Sequence, residues 1–125
     1  MSEYQPGVCN IGTAQRRRRF GFATAAAAVA AGYVAACLSG VLPRVLLVGV
    51  FVPLAVAFEW GIQAASSFCV RLALVGRYDF GGSGGERGTV PEDVRRDDRV
   101  QAAKITVAAV ALAALTTGVL YVGLA

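Results

Sequence analysis

Three stretches of this chain lack the charged positions that a water-exposed helix face would carry. Residues 20–43 and 105–125 contain no charged side chain, and 45–70 contain one, Glu59. Every other charge falls in 1–19, at Arg44, or in 71–104. A hydrocarbon layer about 30 Å thick takes about 20 helical residues to cross. The pattern therefore predicts spanning helices over 20–42, 45–65 and 105–124. The expected fold class is all-α: one domain over 1–125, an integral membrane bundle of three transmembrane helices with a cytoplasmic helical extension and a Gly-rich loop.

Within this frame the chain reads in order. Residues 1–19 form a polar N-terminal arm, turn-rich at Pro6-Gly7 and closing on Arg16, Arg17, Arg18 and Arg19. In the first span Ala28, Gly32, Ala36 and Gly40 recur at every fourth residue. That row predicts one face on which a neighbouring helix approaches closely. Pro43-Arg44 predicts a very short turn into the second span. There Gly49, Pro53, Ala57, Gly61 and Ala65 form a second small-residue row, and Pro53 predicts a mild kink. The helical pattern continues to about residue 75, where Gly76 predicts its end, and Tyr78 and Phe80 suit anchors at the headgroups. Residues 76–104 are a cytoplasmic loop and helix. Residues 81–88, GGSGGERG, have linker composition. Thr89 and Glu92 fit a capping box. The helix that follows pairs Glu92 with Arg96 and Arg95 with Asp98, and runs on into the third span with Ala109, Ala113 and Thr117 as its small row.

Composition narrows the chemistry. The chain has 125 residues, is 56% hydrophobic and contains no histidine. Lack of imidazole excludes His-ligated haem, His-bearing zinc sites and His-dependent triads. Three cysteines at 9, 37 and 69 form no disulfide framework. Eleven of the twelve basic residues fall in 1–19 and 71–104. By the positive-inside rule those segments are cytoplasmic, and Arg44 and the C-terminus are outside. The arginines lack the interleaved aromatics of a nucleic-acid face. Arg17 to Phe20 with Cys37 also resembles a twin-arginine lipoprotein signal, but a second span follows where a polar tether would be expected.

Candidate functional residues cluster near the arginine end. Glu59 lies about 8 Å inside the second span's boundary, where a carboxylate is costly and needs a partner. An ion pair with the Arg16–Arg19 cluster is the expected role, and proton or cation handling is the alternative. Gln63 shares its face. Cys9 and Cys69 on one side of the membrane could form a thiol sensor or soft-metal site, although two thiols alone leave a zinc shell incomplete. Arg71 and Arg77 suit lipid headgroups or neighbouring acids.

The segments CNIG before the arginines, QAASSFCVRLALVGRYDFGG, and VRRDDRVQAAKI together resemble a group of small prokaryotic membrane proteins with three spans and no assigned function. The shared pattern falls on Cys9 to Gly12, Gly61, Gln63, Ala64, Phe68, Cys69, Gly76, Tyr78, Phe80, Gly81, Asp98, Arg99 and Ala102. Asp79 stands where the pattern has Asn, and Gln15 where it has an acid. The N-terminal arm is also similar to a broader family whose spans follow N-x-G-x-x-[DE]-R. The resemblance implies three spans and no particular activity.

The expected function is non-enzymatic: a multi-pass protein of the cell membrane that self-associates or serves as an accessory subunit of a membrane complex. Its partners would be the lipid bilayer and a second copy or another membrane protein, with no nucleic acid. The candidate assembly cluster is Cys9, Glu59, Gln63, Cys69 and Arg71, and the candidate packing face is Ala28, Gly32, Ala36 and Gly40. No catalytic, cofactor or metal site is expected. Alternatives are the Cys9–Cys69 thiol role and a transporter or channel component using Glu59.

Overall fold

The computed structural model describes residues 4–81, 85 and 87–124. Four helices dominate: α1 over Thr13–Leu38, α2 over Phe51–Ser66, α3 over Val70–Val75 and α4 over Arg95–Leu124. A 3-10 helix, Arg44–Val50, leads into α2, and another, Glu92–Val94, leads into α4. Strands β1 (Arg77–Asp79) and β2 (Arg87–Thr89) pair antiparallel with Tyr78 opposite Gly88. This hairpin, with isolated bridges Gln5–Cys9 and Ile11–Asp79, departs from an all-α fold. Of the glycine-rich segment between the strands, 82–84 and 86 lie outside the described residues.

Three stretches are long and apolar enough to cross a membrane: Thr13–Leu38, Arg44–Ser66 and Glu92–Leu124. At 1.5 Å per residue the 26 residues of α1 extend for roughly 39 Å. The middle member is α2, packed by α1 and by α4. Small residues set the spacing. The buried face of α4 repeats Ala102, Ile105, Ala109, Ala113 and Thr117, as its row of small residues predicts. Against α1, a Cβ on Gly61 would lie 3.9 Å from that of Ala23, an ordinary contact. A Cβ on Gly49 would fall 2.5 Å from the Tyr33 hydroxyl, which donates to the Leu46 carbonyl. Glycine at 49 is what admits that ring.

Several boundaries differ from the sequence reading, each for a local reason. The arginines do not precede the first helix but belong to it, because α1 begins at Thr13 and carries all four on its first two turns. That helix stops at Leu38, so Gly40, with φ of +87°, belongs to the turn and not to a helical row with Ala28, Gly32 and Ala36. The turn is accordingly longer than Pro43-Arg44. Pro53 falls in the first turn of α2, where a missing N–H costs no helical bond. The seven residues Arg44–Val50 before it wind as a 3-10 helix. Arg44 donates to the carbonyl of Leu124 at 2.9 Å, a cation on the C-terminal end of α4.

The helix of the second span does not continue unbroken to about residue 75. It ends in a Schellman motif: Ser67 is left-handed (φ +55°), its N–H bonds Ala64, and the Phe68 N–H bonds Gln63. Phe68 then turns into a small core with Ala73, Ala102 and Ile105, against which Ile62 and Val70 pack. Gly76 ends α3 as predicted, at φ +70°. Thr89 does not cap a helix; it pairs with Arg77 in the hairpin, and Pro91 precedes the 3-10 turn with no side-chain cap. Phe80 is buried, 2% exposed, and so is not a headgroup anchor.

Candidate functional site

Two constructions meet at the arginine end: a hydrogen-bonded cap and an open cleft beside it. The cap is organised by Asn10, which is fully buried. Its Oδ1 accepts from the Cys69 N–H at 2.6 Å, and its Nδ2 donates to the Cys69 carbonyl at 3.1 Å. Its own N–H donates to Ser67, as does that of Ile11. One side chain thus bonds both backbone groups of the residue that precedes α3, whose N–H has no helical partner and whose carbonyl also accepts from the Ala73 N–H. Asp79 extends the knot. Its N–H donates to the Asn10 carbonyl, its carbonyl accepts from Gly12, and its carboxylate accepts from Gly81 N–H, Gln15 and Arg87.

The start of α4 is tied in through Asp98, also fully buried. Its two oxygens accept from the Tyr4 hydroxyl and the Gly7 N–H, each at 2.7 Å. An acid in the first turn of α4 is also favoured by the helix dipole. Tyr4 stacks on Tyr78 with ring centroids 5.0 Å apart. Burial first, then the hydrogen bond to Asp98 and the charges of Asp98 and Asp97, hold the Tyr4 phenol well above its usual pKa. The expected Arg95–Asp98 pair is replaced: Arg95 donates to the Val90 carbonyl at 2.9 Å.

The cleft lies between the first turns of α1, the last turns of α2 and the start of α3, with a volume of about 620 Å³. Glu59, Gln63, Cys69 and Arg71, four of the five residues of the sequence-predicted cluster, line it. Cys9 is not on its wall; it belongs to the cap, where its thiol donates to the Ile11 carbonyl at 3.7 Å. Arg18 and Arg19 of the arginine cluster line it too, as the expected convergence of that cluster on Glu59 implies, whereas sequence reasoning did not place Gln15, Phe22, Trp60, Val70 and Leu74 here. The early start of α1 puts Gln15 there, and the break between α2 and α3 brings Val70 and Leu74.

Glu59 does not form the expected ion pair. Its Oε1 accepts from Gln63 Nε2 at 3.0 Å and from Thr106 Oγ1 at 3.1 Å, linking α2 to α4. Gln63 passes the connection on, since its Oε1 accepts from the Val70 N–H at the start of α3. The arginines take other partners. Arg16 donates to the Ala64 carbonyl at 2.9 Å and so closes the end of α2. The Arg18 guanidinium lies 5.9 Å from the Phe22 ring centre, and that of Arg19 lies 5.2 Å from the Trp60 ring centre. Arg19 is 7% exposed, and its buried Nε has no hydrogen-bond partner.

Among the described residues no group of three or more Cys, Asp, Glu or His side chains gathers as a metal set. No family model matches the chain, and no curated protein or solved structure is detectably similar to it. The residues that carry the resemblance noted from the sequence are largely interior. Asn10, Ile11, Gln63, Ala64, Phe68, Cys69, Phe80, Asp98 and Ala102 are all buried. In this chain that pattern describes how the arginine end is built.

Proposed function

We propose that the chain is a multi-pass protein of the cell membrane, with its arginine end and N-terminus cytoplasmic and its C-terminus outside, whose role is non-enzymatic association with a second copy or another membrane protein. The observation that carries this reading is the outward presentation of apolar surface. In the most apolar window of Thr13–Leu38 and of Arg44–Ser66 only 11% of residues are buried. Such surface needs lipid or a protein partner. On α1, Ala28 and Gly32 are exposed, and a Cβ added at Gly32 would meet nothing within 4 Å. A small-residue face left open within the chain suits close approach by another helix.

The test is the assembly state in mild detergent, read by light scattering and by mass spectrometry of what co-purifies. Association is expected, and Gly32→Leu, which has room within the chain, should abolish it without changing thermal stability. A strictly monomeric, partner-free protein would overturn the proposal.

A further inference from the structure

We infer that the cleft at the arginine end binds the phosphate headgroup of an anionic phospholipid. This rests on the membrane reading above, and the test below separates the two. Three guanidinium groups, Arg18, Arg19 and Arg71, line the cleft against one carboxylate, Glu59, a formal balance of +3 − 1 = +2. One oxygen of that carboxylate already takes two donors. Arg19 carries the argument furthest. It is more than nine-tenths buried, its guanidinium is held over Trp60, and its Nε lacks a partner. A buried donor left unmade costs about 1–3 kcal/mol, more when it is charged. An anionic oxygen entering the cleft would satisfy it, and guanidinium groups suit phosphate oxygens by their fork of donors.

The rest of the cleft selects an amphiphile over a small anion. Trp60, Phe22, Val70 and Leu74 supply an apolar wall beside the cations. Phe22 and Leu74 are 45% and 60% exposed, so this wall continues onto the outer surface, where acyl chains would lie. The cleft is also at the end of the spans, the level of headgroups. Its volume is within the range of about 300–1,000 Å³ typical of small-molecule sites.

The experiment uses the full chain in nanodiscs of phosphatidylcholine doped with phosphatidylglycerol. Bound lipid is read by native mass spectrometry, and membrane insertion is read separately by resistance to alkaline carbonate extraction. Preferential retention of phosphatidylglycerol is expected. Arg19→Gln with Arg71→Gln should lower it at least about tenfold, and Arg44→Gln, at the far end, should leave it unchanged. Glu59→Gln keeps an acceptor for Gln63 and Thr106 and removes the opposing charge. It should raise retention about fivefold, a gain that misfolding would not produce. Equal retention of the two lipids by an inserted protein would overturn the headgroup site while leaving the membrane reading intact. So would a Glu59→Gln variant that binds no better, or displacement of the lipid by millimolar inorganic phosphate, which would mark a site for the free ion. Loss of insertion would overturn the membrane reading and this inference with it.

Discussion

Asn10 holds two chain segments in one conformation through a pair of side-chain bonds to Cys69. Truncating it leaves the buried Cys69 N–H without a partner, at a cost of about 1–3 kcal/mol, while the Cys69 carbonyl keeps the N–H of Ala73. Asn10→Ala should therefore destabilise by about 1–3 kcal/mol, measured by denaturant titration in detergent. Asn10→Asp should rescue it only in part, since a carboxylate accepts from the Cys69 N–H but sets an anionic oxygen against the Cys69 carbonyl. Tyr4 offers a second check at this scale. Its phenol titrates above the ordinary value near 10 because burial and Asp98 favour the protonated form. The bond to Asp98 thus contributes fully below pH 10 and is lost as pH climbs beyond that toward the folded-state value. In an absorbance titration, Tyr4→Phe should remove a phenolate step that lies above pH 10.

At the scale of elements, the break between α2 and α3 decides the shape of the arginine end. Two left-handed residues frame α3: Ser67 before it and Gly76 after it. A Cβ at Gly76 would sit 2.5 Å from Arg95 Nε and displace the bond that Arg95 makes to Val90. Added to about 1–2 kcal/mol for a left-handed alanine, this predicts a loss of about 2–3 kcal/mol for Gly76→Ala in the same titration. Part of that loss should vanish when Arg95 is already alanine, a coupling readable in a double-mutant cycle.

These elements also mark how far the sequence carries. The uncharged runs locate all three long helices, and Gly76 and the alanine row of α4 announce their own roles. The break at Ser67 is hidden because serine is not a left-handed residue by habit; the Phe68 side chain, swinging into a core with Ala102 and Ile105, is what selects it. The early start of α1 is hidden for a similar reason. Four adjacent arginines read as solvated charge, yet Arg16 closes α2 and Arg19 lies over Trp60, contacts that exist only once α2 is in place. Glu59 could be identified as a carboxylate in need of partners, but not as one served by Thr106 from 47 residues away.

For the whole molecule, polar order is gathered at one end and apolar surface covers the rest. Asn10, Asp98 and Gln63, the buried polar residues of the cap and cleft, lie with Arg19 at the arginine end, whereas Thr117 alone is buried far along α4. Buried hydrogen-bonded groups fix one arrangement of the helix ends, and small residues set the distance between helices beyond it. This division is what a bilayer-crossing protein with its charged end in the cytoplasm requires. The most direct test places single cysteines at the two ends, Val41→Cys in the turn after α1 and Glu92→Cys before α4, in a background with Cys9 replaced by serine. Intact cells are labelled with a membrane-impermeant maleimide before and after lysis. The account predicts labelling of Val41→Cys from outside and of Glu92→Cys only after lysis. Labelling of Glu92→Cys in intact cells while Val41→Cys stays protected, or equal labelling of both, would contradict it.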